Sequence, residues 1–271
     1  MMDYRSSIAF IGGGNMAEAL AVGIIRARIL PAESIIVSDP ISERRTYLLQ
    51  QHGLMSTDRN TQAAAAGGTI FLAVKPQVLP EVLQEIAPSI GTDQLVISIA
   101  AGITLGLLEN SLPGVPVIRS MPNTPALVGN GATVISPGQS VHADNTHWAV
   151  ELFQAVGTCH VLPEDLLDSV TGLSGSGPAY IFRMAEALIE AGMSVGIPAE
   201  EAAGLVKQTI MGAARMMMET EKSPTQLREM VTSPGGTTQA GLTAMDEADF
   251  TETVVEAVMA ATKRAKELGK G

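Results

Sequence analysis

The sequence predicts an α/β domain followed by an all-α domain, and two observations carry this prediction. In the first half of the chain, short apolar and β-branched runs alternate with helical stretches. From residue 163 onward no convincing strand remains. Because strand–helix alternation is typical of parallel sheets covered on both faces, we place an α/β domain at residues 1–162 and a helical domain at residues 163–271.

The predicted elements of the α/β domain follow from the spacing of apolar residues and from the glycines and prolines between them. The predicted strands are 7–11, 34–39, 69–74, 95–100, 115–120, 132–136 and 159–162. The predicted helices are 15–28, 42–52, 76–90, 105–110 and 144–156, with a short helix at the alanine run 63–66. Strand–helix alternation predicts that the strands are parallel.

The second half is helical and unusually apolar. Breaks occur at 172–178, 196–198, 223–224 and 233–236. Residues 210–218 contain a single charged side chain, that of Arg215, so this helix is predicted to be buried on most sides. A helical domain of this size has few neighbours to cover it, which favours a homodimer. The alternative is a monomeric core rich in methionine.

Composition narrows the classes of partner. The chain of 271 residues has 17 Lys and Arg against 28 Asp and Glu, a net charge of −11, and nine aromatic residues, which disfavours nucleic-acid binding.

No stretch predicts a membrane span or a signal peptide, and the single cysteine, Cys159, suits a reducing compartment, so we expect a cytoplasmic protein. No pair of histidines has helical metal-ligand spacing, and no metal is expected.

The strongest motif is the glycine turn after the first strand. Gly12-x-Gly14-x-x-Ala17 joins a predicted strand to a predicted helix, which is the pattern of a dinucleotide-binding turn. Gly12 permits the turn, Gly14 admits a pyrophosphate, and Ala17 lets the helix approach the sheet. Asp39 ends the second strand 22 residues after Ala17, near the offset of a ribose-binding acid.

The end of the second strand carries conflicting signals about the nicotinamide cofactor. Asp39 favours NADH because a carboxylate accepts hydrogen bonds from the ribose hydroxyls. Ser38 with Arg44 or Arg45 favours NADPH because these groups can hold a 2′-phosphate. Alternatively, residues 38–40 form a helix-capping turn and the arginines are solvated.

Three further segments follow predicted strands and converge on the expected nicotinamide end: 73–76, 98–102 and 119–125. In the second half, two glycine-rich segments precede predicted helices: 174–178 and 233–238. A helix start can receive a carboxylate through its free N–H groups. Each segment also has a purely structural interpretation as a helix start, a close packing or a rigid turn.

Taken together, these motifs resemble the pyrroline-5-carboxylate reductases over residues 7–268. The motifs with the most specific match are Met121-Pro122-Asn123-Thr124-Pro125 and Ser233-Pro234-Gly235-Gly236-Thr237. The resemblance implies reduction of 1-pyrroline-5-carboxylate to L-proline by NAD(P)H. It also implies a Rossmann-like domain and a helical domain that interlaces with its twin in a homodimer, which can assemble further into a ring such as a decamer.

The resemblance also implies roles for particular residues. Those matching family cofactor contacts are Gly12, Gly13, Gly14, Asn15, Met16, Ser38, Asn60, Ala73, Val74, Lys75, Pro76 and Ala100. Ser233, Gly236, Thr237 and Thr238 match the loop that binds the substrate carboxylate, and Thr238 is the catalytic candidate, placed to reach the ring nitrogen.

Asp39 beside Ser38 departs from the most NADPH-committed members, and its carboxylate would repel a 2′-phosphate, so NADH is expected to be used as well. NADPH is expected as the preferred cofactor because Ser38 and Arg44 can bind that phosphate. The alternatives are a related NAD(P)-dependent dehydrogenase or imine reductase acting on another small acid, and a non-catalytic dinucleotide-binding regulatory protein.

Overall fold

The computed structural model describes residues 3–269 and divides the chain into two compact units. Gly177–Met259 forms one unit, and the rest of the described chain forms the other. The unit Gly177–Met259 is helical and the other unit is α/β, so the predicted fold class is confirmed. The division into domains at residue 162 stays a prediction.

The α/β unit contains eight strands and six main helices, and most lie within two residues of the predicted positions. In chain order they are β1 Ile8–Ile11, α1 Asn15–Arg26, β2 Ile35–Ser38, α2 Ser42–His52, β3 Met55–Thr57, α3 Asn60–Ala66, β4 Thr69–Leu72, α4 Leu79–Ile86, β5 Leu95–Ser98, α5 Leu105–Ser111, β6 Val117–Met121, β7 Gly131–Pro137, α6 Ala143–Gln154 and β8 Gly157–Val161. The sequence predicted α2 to the residue but missed β3, a short edge strand with an exposed Met55.

All strands form one sheet in the order β3-β2-β1-β4-β5-β6-β7-β8. The prediction of a wholly parallel sheet was wrong at one place, because β7 runs antiparallel to β6 while β8 is parallel to β7. The connection from β6 to β7 holds only a 3-10 turn, Thr124–Val128. A parallel pair needs a longer crossover, so this short connection reverses the chain.

The central strands β1, β4 and β5 are buried along their whole length, as expected for a sheet covered on both faces. On one face Phe10 stacks on Phe71 with ring centroids 4.8 Å apart, and Phe153 of α6 meets Phe71 edge-on. The indole N–H of Trp148 donates to the Thr69 hydroxyl at 2.9 Å, which satisfies the polar atom of a buried ring. These contacts pack α6 against one face of the central strands.

The rest of the chain is helical. After α7, Leu167–Val170, a π-helical turn covers Thr171–Gly175, and the following helices are α8 Gly177–Ser194, α9 Ala199–Glu219, α10 Pro224–Met230, α11 Thr237–Glu247 and α12 Phe250–Leu268. None of the helices within residues 3–269 is long and apolar enough to cross a membrane.

The helical unit has almost no core of its own. Within residues 177–259, all of which are described, Ala202 is the only buried hydrophobic residue. Many large apolar side chains of this unit are exposed, among them Phe182, Leu188, Val195, Leu205, Met211, Met216, Met217, Met218, Val255 and Met259. An apolar surface of this extent is typical of a protein interface.

Candidate functional site

The glycine turn after β1 can be built only with glycine at position 12. Gly12 has φ +100°, and a Cβ atom there would lie 2.8 Å from the Ala73 carbonyl oxygen. Its N–H donates to the Ser38 carbonyl at 2.9 Å, which ties the turn to the end of β2. The sequence prediction that Gly12 permits the turn is therefore explained by both the backbone angle and the space.

The start of α1 is open. Gly14 is the N-cap with an extended backbone, and no side chain caps the N–H groups of the first turn. Gly14 and Asn15 are exposed, and nothing lies within 4 Å of a Cβ placed at Gly14. Free N–H groups at the positive end of a helix dipole suit a phosphate. The residues at this turn thus fit the pyrophosphate of a dinucleotide.

Asp39 holds the glycine turn in place. Its Oδ2 accepts from the Gly13 N–H at 3.0 Å, and its Oδ1 accepts from the Ile41 N–H at 2.9 Å. Both carboxylate oxygens therefore have partners within the protein. The sequence predicts either ribose recognition by Asp39 or a helix-capping turn at 38–40, and no local pattern indicates the contact with Gly13.

Ser38 lies beneath the surface of the site. Its side chain is 0% exposed, and its hydroxyl donates to Asn60 Oδ1 at 2.8 Å. Asn60 Nδ2 in turn donates to Glu85 Oε2 at 2.8 Å. The structure thus brings together Ser38 and Asn60, two of the predicted cofactor-binding residues. Of the two, Asn60 is partly exposed to solvent and Ser38 is buried.

The two arginines of α2 have different partners. Arg45 donates to the backbone carbonyls of Asp39 and Pro40 at 2.7 and 3.0 Å, so it secures the end of β2. Arg44 donates through Nε to the Gly13 carbonyl and through Nη2 to Glu18, and its guanidinium lies 5.0 Å from the centre of the Tyr47 ring. Arg44 is therefore the arginine that lies beside the glycine turn.

Glu18 is the centre of a polar cluster that sequence reasoning missed. Its carboxylate accepts hydrogen bonds from Arg44, from His52 Nε2 at 2.8 Å and from the Tyr47 hydroxyl at 3.1 Å. Burial alone would raise the pKa of Glu18, but these hydrogen bonds outweigh burial and hold the pKa below its usual value. The partners are 26 to 34 residues away, so no local pattern marks the cluster.

The other predicted cofactor segments meet at the same edge of the sheet. The Ala73 N–H donates to the Ile11 carbonyl at 2.8 Å, and Val74 packs against Gly12. Lys75 is exposed and Pro76 is partly buried. Ala100 is buried after β5, where its N–H donates to the Ser98 hydroxyl at 3.3 Å. Because β1, β4 and β5 are parallel, their carboxyl ends lie at one edge of the sheet, which is where ligands bind in open parallel sheets.

A buried arginine near the end of β6 pairs with two acids. Arg119 is 5% exposed, and its guanidinium lies 3.1 Å from Glu164 and 3.0 Å from Asp168 of α7. Glu164 Oε1 also accepts from the Leu105 N–H at 2.7 Å, at the start of α5. This cluster attaches the segment around α7 to the sheet, and sequence reasoning did not identify it.

Asn123 makes the second connection between the same parts of the chain. Its side chain is buried, donates to the Ser174 carbonyl at 3.0 Å and accepts from the Ala132 N–H at 2.8 Å. The segment 121–125 therefore holds the π-helical turn against the start of β7. This contact explains why an asparagine stands between the two prolines.

The loop 233–238 presents a second open helix start, in the helical unit. Gly235 has φ +70°, and the Gly236 N–H donates to the Ser233 carbonyl at 3.0 Å. Gly236 is the N-cap of α11 without a side-chain cap, and Ser233, Thr237 and Thr238 are exposed. Within residues 3–269 the Thr238 hydroxyl makes no hydrogen bond. Such a loop can receive a carboxylate through backbone N–H groups and hydroxyls.

Cys159 offers no nucleophile. The side chain is half-buried in β8, and burial raises the pKa of its thiol to about 12. A thiol with this pKa stays protonated at neutral pH, so the inert role predicted for Cys159 agrees with the structure. Within residues 3–269 no group of three or more His, Cys, Asp or Glu side chains is arranged to hold a metal ion.

Comparisons with known proteins point to one family. Residues 164–268 match the family model described as pyrroline-5-carboxylate reductase dimerisation, and residues 7–102 match the model of NADP oxidoreductase coenzyme F420-dependent. The chain is 43% identical to the pyrroline-5-carboxylate reductase of Synechocystis, covering 97% of this chain and 98% of the relative. It is 42% identical to that of Methanosarcina acetivorans, covering 98% and 99%.

Solved structures agree with these relatives. A pyrroline-5-carboxylate reductase from Coxiella burnetii superposes with a TM-score of 0.93 at 40% identity, covering 98% of this chain and 100% of the other. The Plasmodium falciparum pyrroline carboxylate reductase, solved with NADP bound, superposes with a TM-score of 0.88 at 32% identity, covering 99% and 100%.

Proposed function

The chain belongs to the pyrroline-5-carboxylate reductase family, and we propose how its own residues carry out the reduction of 1-pyrroline-5-carboxylate to L-proline with NADPH. The reaction is the last step of proline biosynthesis. The observation that carries the proposal is the presence, in one chain, of an open dinucleotide-binding turn at Gly12–Gly14 and an open helix start at Gly236.

The α/β unit holds the cofactor in this proposal. The N–H groups at the start of α1, from Asn15 and Met16, bind the pyrophosphate, and Asp39 keeps the turn in position through Gly13. Asn60 and Arg44 lie at the adenosine end, and residues 73–76 with Ala100 line the nicotinamide end. When bound, NADPH supplies the hydride that the carbon of the C=N bond receives.

The loop 233–238 binds the substrate in this proposal. Gly236 opens α11, and the carboxylate is held by the hydroxyls of Ser233 and Thr237 and by the backbone N–H groups of the first turn of that helix. The Thr238 hydroxyl forms a hydrogen bond with the ring nitrogen. These groups are neutral at physiological pH and do not compete for the imine proton. Positioning therefore supplies most of the catalysis, and the proton on nitrogen comes from solvent or from the protonated substrate.

One assay tests the proposed function. Purified protein is mixed with NADPH and 1-pyrroline-5-carboxylate, and the loss of reduced-nicotinamide absorbance is followed together with proline formation. A related dehydrogenase or imine reductase would oxidise NADPH only with another small acid or cyclic imine. A regulatory protein would bind NADPH without oxidising it with any of these substrates. Either result would contradict the proposal.

We propose a homodimer formed through the helical unit. Val206, Ile210, Ala213 and Met217 form an apolar stripe along α9 at helical spacing, and Met217 is 49% exposed. Since residues 177–259 bury almost none of their own apolar side chains, a second copy is the natural cover. Such a dimer is also the unit from which a ring such as a decamer would assemble.

The variant Ala213→Lys/Met217→Lys is expected to shift the protein from dimer to monomer, because two lysines would lose hydration at the interface. Sedimentation equilibrium at micromolar concentration measures this. Leu49→Lys is the matched control, since Leu49 of α2 is 51% exposed in the other unit. A wild-type chain that sediments as a stable monomer, or a double lysine variant that stays dimeric, would contradict the proposed interface.

The cytoplasm is the compartment we propose. A lone cysteine without a disulfide partner suits reducing conditions. The reaction also consumes a reduced nicotinamide, and the net charge of −11 gives no reason to expect attraction to anionic surfaces.

A further inference from the structure

Arg44 lies where a dinucleotide would place its adenosine ribose. It belongs to the first turn of α2, directly after the carboxyl end of β2, and its Nε donates to the Gly13 carbonyl of the phosphate-binding turn. In dinucleotide-binding sheets the end of the second strand is the region that meets the ribose, and an arginine there accommodates a 2′-phosphate. The guanidinium of Arg45 donates to the backbone carbonyls of Asp39 and Pro40 at the end of β2, whereas that of Arg44 does not.

The guanidinium of Arg44 is fixed by hydrogen bonds from Nε and Nη2, and its third nitrogen is available to a ligand. Nε is bound to Gly13 and Nη2 to Glu18, and the Tyr47 ring lies 5.0 Å from its centre. Within residues 3–269, Nη1 makes no hydrogen bond. The side chain is 21% exposed, so this free edge can reach a ligand. A planar guanidinium fixed on two sides is well suited to an oxygen of a phosphate.

The carboxylate of Glu18 neutralises the charge of the Arg44 guanidinium. Its Oε2 lies 2.5 Å from Arg44 Nη2, and its Oε1 is bound by His52 and Tyr47. Both carboxylate oxygens are bonded, so a movement away from Arg44 would also break the hydrogen bonds to His52 and Tyr47. A 2′-phosphate would share one guanidinium with Glu18 and would be repelled by the carboxylate. A cofactor without that phosphate leaves the Arg44–Glu18 pair intact.

We propose that Glu18 is a specificity-determining residue that limits the preference for NADPH over NADH through its ion pair with Arg44. The inference rests on the proposed function, because it concerns the cofactor of that same site. This ion pair is a physical reason to expect the use of both cofactors. The attraction of Arg44 for the 2′-phosphate is partly cancelled, and Arg44 is not left unpaired when NADH binds.

The test compares Glu18→Gln, Arg44→Gln and the double variant. Isothermal titration with adenosine 2′,5′-bisphosphate and with AMP measures the contribution of the 2′-phosphate alone, and titration with NADP⁺ and NAD⁺ measures it in the whole cofactor. Glu18→Gln is expected to raise the preference for the phosphorylated ligand about fivefold. Arg44→Gln is expected to lower that preference. When Arg44 is already replaced by glutamine, Glu18→Gln is expected to leave the preference for the phosphorylated ligand unchanged.

Glu43→Gln is the matched control for total charge. Glu43 is next to Arg44 in sequence and is exposed, but its carboxylate is bonded to the Ser42 hydroxyl and not to Arg44. This variant is expected to leave the preference unchanged. An equal rise in Glu43→Gln would overturn the inference, because it would show a general effect of charge and not of the ion pair.

Three other results would also overturn the inference. They are a lower preference in Glu18→Gln, an unchanged preference in that variant, and the same rise with and without Arg44. Glu18→Ala, checked by its thermal transition, serves if the glutamine variant folds poorly. Failure of the proposed function has a different signature, since neither reduced cofactor would then be oxidised with 1-pyrroline-5-carboxylate while the binding ratios could still be measured.

Discussion

Replacing Glu164 by glutamine and Asp168 by asparagine together is expected to lower the free energy of unfolding by about 3 kcal/mol. The reason is the asymmetry of the cluster: the side chain of Arg119 is 6% exposed, while those of Glu164 and Asp168 are 32% and 22% exposed. Without the acids, a cation buried in the sheet has no counter-charge. The amide oxygens can still accept hydrogen bonds, which keeps the loss at the lower end of the range for broken buried pairs.

Urea denaturation at a fixed protein concentration measures this effect, because an oligomer has a concentration-dependent stability. Adding Arg119→Met to the double variant is expected to recover most of the loss, since a buried ion cluster replaced by apolar groups is often neutral. Glu267→Gln is the control, because it removes one partner of the exposed Arg264–Glu267 pair and should change little. A triple variant no more stable than the double would show that the buried charge is not the cause.

The second large effect is expected from Thr238→Ala, which should lower kcat/KM for 1-pyrroline-5-carboxylate by about 5- to 150-fold. The hydroxyl has no hydrogen-bond partner within residues 3–269, so its loss removes no contact from the described chain. The proposed loss is a hydrogen bond to the ring nitrogen, worth about 1 to 3 kcal/mol when its partner is left unsatisfied. Cofactor affinity is expected to change much less.

A helix-capping role for Thr238 predicts the opposite pattern, namely a lower melting temperature with nearly normal kinetic constants. Melting temperature and kcat/KM are therefore measured on the same preparation. Thr253→Ala is the matched control, because Thr253 is an exposed threonine near the start of α12 whose hydroxyl donates to the Asp249 carbonyl at 3.0 Å. Normal kinetics in Thr238→Ala would remove Thr238 from the catalytic machinery.

Much of the fold could be predicted because its signals are local. Apolar runs separated by glycine and proline located seven of the eight strands, and α2 begins and ends at the predicted residues. The turn at Gly12 was predictable for the same reason, since a positive φ and a close backbone contact both require glycine. The helix at 210–218, in contrast, is predicted to be buried on most sides but is exposed in the single chain, where Met211, Met217 and Met218 lie at the surface. The second copy that we propose would cover it.

By itself, the sequence determined the order and type of most elements, the position of the glycine turn after β1 and the motifs that mark the family, because each of these depends on residues close together in the chain. Only the tertiary structure decided the reversal of β7, the burial of Ser38 and the partners of the charged side chains. Glu18 meets Arg44 across 26 residues, and Arg119 meets Asp168 across 49. Charged residues have many possible partners at such separations, and the packing of the sheet and helices selects among them.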